Sequence, residues 1–153
     1  MAFALRLCER NEIVNDSKQI ENKALLTRLY EEALNRGNLD IIDQLFAPDF
    51  VDRSTPDQPP GPASVRNYFR EIRGGFPDIR VVCDDAIAEG DRVVVRTIWS
   101  GTHLGSYEGV AATGRRVART LIQIFRVAED QIVEEWNEGA GLLDALRKGE
   151  PKG

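Results

Sequence analysis

Four stretches in the second half of the chain limit its fold more than anything else in the sequence. They are DIRVVCDDAIAEG (78–90), DRVVVRTIWSGTH (91–103), RRVARTLIQIFRV (115–127) and QIVEEWNE (131–138). Each is long and rich in Val, Ile, Thr and aromatic residues, and turn residues separate them, which is the pattern of consecutive β-strands. Glu89-Gly90-Asp91 predicts a hairpin between the first two and Ala128 to Asp130 a hairpin between the last two. Gly101 to Gly114 is a longer connection between the pairs. Strands of this length curl into a bent antiparallel sheet, and something must fill its hollow side.

The first half supplies the filling. From Ser17 onward Ile20, Leu25, Leu29 and Ala33, with Leu26 and Tyr30 beside them, recur at helical spacing. Gly37 ends that helix, because glycine accepts the left-handed conformation such a stop requires. Asn38 can cap a short second helix through Leu39, Ile42, Leu45 and Phe46, stopped by Pro48. DFVDRS (49–54) reads as a short strand or edge segment, and TPDQPPGP (55–62) as a surface loop whose Pro62 opens the next helix. That helix carries Val65, Tyr68, Phe69 and Ile72 on one face and ends at Gly74-Gly75. GLLDALRK suggests a closing helix. Helices first and a meander of strands after them give an α+β fold with helices against one face of the sheet. The expected division is an N-terminal extension (1–16), a single domain (17–148) and a short tail (149–153).

Charge and cysteine content narrow the function. A net charge of −5 argues against nucleic acid as a partner, because phosphates require a basic face. Arg115-Arg116 is too short a run to supply one. Cys8 and Cys83 are the only cysteines, too few for a disulfide framework and spaced for no metal site. Two reduced thiols are expected. The start MAFALRLCERNE lacks the form of a signal peptide and no segment is long and apolar enough to span a bilayer, which points to the cytoplasm with no membrane partner.

Specific residues now join the order of elements. Phe76-Pro77-Asp78, Glu89-Gly90-Asp91, Gly101-Thr102-His103 with Gly105, Thr113-Gly114-Arg115 and Phe125-Arg126 together resemble the SnoaL-like family of small polyketide cyclases, within the cone-shaped NTF2-like and ketosteroid-isomerase-like fold. The likeness runs from about Leu25 to about Leu146. It implies a curved sheet wrapped around the N-terminal helices and a deep apolar pocket open at one end. It implies no metal and no organic cofactor, and acid/base chemistry on a hydrophobic, carbonyl-bearing small molecule. The family's acid/base Asp falls on Asn137, its polar partners on the previous strand fall on Leu121 and Gln123, and a fourth polar position falls on Asp52. An amide has no useful basicity, so Asn137 can polarise a carbonyl but not take a proton. Leu121 removes one polar partner.

The candidates for chemistry are therefore Asp52 as base, Glu135 as second choice, and Gln123 and Asn137 as groups that hold an oxygen. Glu135 also reads as a solvated charge near a subunit interface, and Asp52 as the cap of the turn through Ser54 and Thr55. Trp99, Tyr30, Phe69 and Leu121 are candidate walls. Arg119 shares the parity of Leu121 and Gln123, so it either anchors an acidic substrate group or neutralises a carboxylate near the rim. His103, the only histidine, reads as a proton shuttle or as a hydrogen-bonding loop residue. A binding module without catalysis is the alternative function. An epoxide-opening enzyme, which needs Asp52, Glu135 and Arg119 to converge, is the third. A three-residue hairpin loop, Ala128-Glu129-Asp130, with Asp130 left-handed, sets Gln123 across from Glu135 and Leu121 across from Asn137. A two-residue Glu129-Asp130 loop shifts that register and moves Gln123 off the face. An outer face carrying Ile132 and Trp136 needs cover, which predicts a homodimer or homotetramer.

Overall fold

The computed structural model describes residues 16–148. But for Asp16, the expected N-terminal extension, with Cys8, and the expected C-terminal tail lie outside them. Helix α1 runs over 16–28 and continues as a π-helical stretch, Leu29–Asn35. It stops at Gly37, whose φ of 76° is the left-handed value the stop needs. Leu26, Leu29, Tyr30, Ala33 and Leu34 are buried, whereas Ile20 is 67% exposed. The apolar face of α1 therefore starts later than its sequence pattern suggests.

A 3₁₀ turn, Leu39–Ile41, leads into α2 (Ile42–Leu45). Asn38 makes no side-chain cap there. Phe46 has already left the helix, and Pro48 lies inside strand β1 (Phe46–Asp52) rather than ending α2. A proline is tolerated in that place because β1 is an edge strand. Helix α3 (Pro62–Gly75) starts with Pro62 in its first turn, as expected. Strands β2 (Arg80–Glu89), β3 (Arg92–Thr102), β4 (Arg116–Ala128) and β5 (Gln131–Glu138) follow, then α4 (Leu142–Lys148).

The sheet order is β1-β5-β4-β3-β2. The four long strands form the expected antiparallel meander, but β1 pairs with β5 in parallel, so the sheet is mixed and unclosed. Alternation along β4 is strict: Val117, Arg119, Leu121, Gln123, Phe125 and Val127 are buried, and the residues between them are not. This inner face packs on α1, α3, α4 and the Phe46–Phe50 ring pair.

The β4–β5 hairpin departs from its expected form. Its loop is two residues, Glu129 and Asp130, both at positive φ (50° and 63°), and Ala128 pairs with Gln131. Two left-handed residues match the twist of a tight hairpin. Continued without interruption, that register would set Gln123 opposite Trp136 and turn Glu135 outward. It does not, because the pairing skips Val133: Val127 faces Ile132, and Arg126 faces Glu134. This β-bulge re-aims the rest of the strand. Phe125 then pairs with Glu135 and Gln123 with Asn137. The shared inner face of Gln123, Glu135 and Asn137 is as expected. The cause is a bulge rather than a longer loop, and the cross-strand partner of Gln123 is Asn137 rather than Glu135.

The two-residue turn settles Ile132, which pairs with Val127 ahead of the bulge and is fully buried in the core rather than on the outer face. Trp136 does face outward, with the Arg92 guanidinium 5.0 Å from its ring centre. It ends a cross-strand row of apolar residues, Ile87–Val94–Ile124–Trp136, over four strands.

Several motif residues prove to be fasteners of the fold. Asp78 accepts from the Thr102 amide (2.7 Å) and hydroxyl (2.8 Å), tying the approach to β2 to the end of β3. A Cβ on Gly105 would lie 2.1 Å from the Gly74 carbonyl oxygen, so only glycine lets this connection lie against the end of α3.

Candidate functional site

A cavity of about 300 Å³ opens between the inner face of the sheet and helices α1 and α3. Leu29, Phe46, Phe50, Val65, Phe69, Leu121 and Phe125 give it an apolar wall. Into that wall project Asp52, Glu135, Asn137, Gln123, Tyr30 and Arg119, with Trp99 beside them. The sequence candidates thus meet in one place, with one exception. His103 is fully buried but does not line the cavity. Its Nδ1 accepts from the Thr113 amide (3.2 Å) and lies 3.0 Å from the Thr113 hydroxyl, and its ring packs against Phe76. Its contacts are those of the hydrogen-bonding loop residue, not of a shuttle reaching the cavity.

Gln123 is the centre of the polar cluster. Its Oε1 accepts from the Tyr30 hydroxyl (2.7 Å) and from Thr97 Oγ1 (3.2 Å). Its Nε2 donates to Glu135 Oε1 (2.8 Å) and to Asn137 Oδ1 (2.7 Å). Trp99 Nε1 can only donate, and it donates to Thr97 Oγ1 (2.9 Å), which leaves the Thr97 proton for Gln123 Oε1. An ionised Glu135 can only accept, so it faces the Gln123 Nε2. All four hydrogen-bonding positions of the Gln123 amide are then used. Asn137 spends its oxygen on Gln123, which leaves its two N–H groups as donors. Glu135 accepts from Gln123 at Oε1, and the Asn137 side chain is a second hydrogen-bonding neighbour of its carboxyl. Thr97 was missed in the sequence. The available signal was a Thr on the inward parity between Val95 and Trp99, where only apolar residues or a hydrogen-bonded polar one can sit.

Asp52 ends β1 directly beside Glu135, its register partner. It lines the cavity and also caps the turn, accepting from the Ser54 amide at 2.8 Å. Ser54 Oγ accepts from the Asn137 amide (2.6 Å), and the Arg53 amide donates to the Glu135 carbonyl (2.8 Å). The backbone that carries Glu135 and Asn137 is therefore held on both sides.

Glu135 opens to the cavity with part of its surface but is surrounded by protein. Burial pushes its carboxyl up to about 7, and the Asp52 charge adds to the rise. The amides of Gln123 and Asn137 act the other way. Burial, and after it the Glu135 charge, holds the Tyr30 phenol well above its ordinary value, so it stays a donor. Glu134, one residue away and facing out, has the opposite environment. Arg126, then Arg53, bind its carboxylate and hold it below the ordinary range.

Arg119 lines the cavity four residues before Gln123. Its guanidinium stacks over Trp99 at 4.6 Å and donates to Tyr68 Oη and the Ala140 carbonyl, each at 3.3 Å. Asp52, Glu135 and Arg119 therefore border one cavity, yet Arg119 forms no ion pair with either carboxylate among the described residues.

The comparisons agree with this geometry. The family model for SnoaL-like polyketide cyclase matches residues 24–142, which include every residue lining the cavity. The chain belongs to the SnoaL-like polyketide cyclase family. Among solved structures, TsrD from Streptomyces laurentii is 26% identical, with a TM-score of 0.76 over 85% of this chain and 94% of that one. AclR from Streptomyces galilaeus, a proposed hydroxylase, is 30% identical, with a TM-score of 0.74 over 86% and 99%. IdmH from Streptomyces antibioticus, a proposed polyketide cyclase, is 29% identical, with a TM-score of 0.69 over 83% and 96%. No curated protein matched in the corresponding search. Family and neighbours support a cyclase or isomerase kind of function. Among the described residues no helix is long and apolar enough to cross a membrane.

Proposed function

We propose that this SnoaL-like protein is a cofactor-independent acid/base catalyst that closes or isomerises a hydrophobic, carbonyl-bearing small molecule of polyketide type. Glu135, not Asp52, is its base. The observation that carries this reading is a carboxylate raised to about 7 that lines a largely apolar cavity. A general base is most effective when its pKa lies near the working pH.

In the proposed reaction the Glu135 carboxylate takes the proton from a carbon next to the substrate carbonyl. The electron pair moves onto the carbonyl oxygen, and the Asn137 N–H groups hold the enolate that forms. The enolate carbon then attacks a second carbonyl of the same molecule, and Glu135 returns its proton to the new alkoxide. In an isomerisation the proton returns to a different carbon instead. Gln123 holds the carboxylate and the amide in register. Asp52 keeps the Glu135 proton affinity high.

Proton exchange tests the chemistry without the natural substrate. 2-Tetralone in D₂O, followed by NMR, should lose its α-protons faster with the protein than without it. Glu135→Gln should slow the catalysed rate by about 10²–10⁴-fold. Binding of the ketone without any catalysed exchange would leave the binding-module alternative, which the amide at position 137 favours.

We also propose a homodimer formed through the outer face of the sheet, where the row from Ile87 to Trp136 is uncovered. Ile87 is 63% and Ile122 48% exposed. Trp136→Glu should sediment as a monomer where the parent chain does not.

A further inference from the structure

Buried guanidinium groups are normally matched by an anion, because an unpaired charge in a low-dielectric site is costly. Arg119 is not matched. Only 9% of the residue is exposed, and it lies within ion-pair distance of no carboxylate among the described residues. Of its five N–H groups, one each is given to a phenol oxygen and a carbonyl oxygen at the long distance of 3.3 Å. Its Nε is buried with no partner among the described residues. Charge-assisted bonds to a carboxylate are shorter, about 2.7–2.9 Å, and a planar guanidinium takes a carboxylate by two parallel bonds. The group is nonetheless held firmly in place, stacked on Trp99 and fixed by Tyr68 and Ala140.

We propose that Arg119 is a preformed subsite for a carboxylate, and that the molecule processed in this cavity carries an acid group. The proposal rests on the acid/base reading of the same cavity and names the substrate class for it. Arg119 and Gln123 are four residues apart on one strand face, which separates their backbones by about 13 Å. The acid group and the reacting carbon therefore stand at opposite ends of an elongated, otherwise apolar molecule. The subsite gives direction as well as affinity. Glu108 also lines the cavity, but a carboxylate beside the Glu135 and Asp52 pair would be repelled by two charges, so the orientation with the acid at Arg119 is favoured. Tyr68 and Trp99 are part of the same device, since they hold the guanidinium flat with one phenol oxygen and one ring face.

The probes are 2-naphthoate and its neutral isostere 2-naphthamide, titrated calorimetrically at pH 7.5. The parent chain should bind the acid about tenfold to a hundredfold more tightly than the amide. Arg119→Gln should bring the two within about twofold by weakening the acid alone. Arg119→Lys, which keeps the charge but not the planar fork, should retain part of the preference. Glu135→Gln should retain all of it, which separates this proposal from the assignment of the base: exchange can fail while the preference stands, and the reverse. Equal affinity for the two probes in the parent chain would overturn the proposal, as would no detectable naphthoate binding at millimolar concentration. So would a preference that survives in Arg119→Gln. If Arg119→Gln does not fold, an undiminished preference in Arg119→Lys overturns it.

Discussion

Replacing Glu135 by Gln should cost activity and raise stability, and the gain should depend on pH in a defined way. In the folded chain the Glu135 carboxyl titrates at about 7, against 4.5 for the free group. Between those values the folded state binds more protons than the unfolded state, so stability falls as pH rises. Below pH 4.5 both states carry the proton and nothing is lost. Above 7 both are ionised and the loss is complete. A displacement from 4.5 to about 7 corresponds to about 3 kcal/mol at pH 8 and to less than about 1 kcal/mol at pH 5. Gln keeps an oxygen to accept from Gln123 but has no charge to desolvate. A domain of this size shifts in melting temperature by about 2–4 °C per kcal/mol. Glu135→Gln should therefore melt about 5–10 °C above the parent chain at pH 8, and only slightly above it at pH 5. Thermal unfolding followed by circular dichroism at both pH values measures this. An equal gap at the two pH values, or none at pH 8, would refute a buried carboxylate of raised proton affinity.

Other substitutions probe the parts around it. Asp52→Asn removes a neighbouring negative charge that helps raise Glu135, so the pH–rate profile for tetralone exchange should shift its inflection below about 7; an unmoved inflection would separate the two groups. Thr97→Val takes away the acceptor of Trp99 Nε1 and one donor to Gln123. It should destabilise the fold by about 1–3 kcal/mol and slow exchange, read by urea unfolding and NMR. Gly105→Ala forces a Cβ to within 2.1 Å of a carbonyl oxygen, and a clear fall in melting temperature without a change in exchange per folded molecule is expected.

The arrangement of the strands was legible because β-branched runs between turn residues leave little choice, and β4 alternates without a fault. The family likeness was legible from Asp78, Gly105 and Thr113, which hold the fold and take no part in the cavity. What could not be read was the bulge. QIVEEWNE has no glycine or proline to mark Val133, and both registers place at least one carboxylate inward. The two-residue turn alone would have brought Glu134 and Trp136 into the cavity. Only the pairing of Val127 with Ile132 and of Arg126 with Glu134 shows that Glu135 and Asn137 are there instead. Ile132 was expected on the wrong side because the turn is one residue shorter than its sequence suggested. The difference between Asp52 and Glu135 was not legible either, because sequence carries no measure of desolvation, the main cause of the raised Glu135 carboxyl.

The saturated amide of Gln123 insulates the cluster. An amide relays no protons, so Gln123 offers no path through the protein behind Glu135. In the proposed reaction a hydrogen taken up by Glu135 leaves by the mouth of the hollow, where solvent deuterium enters.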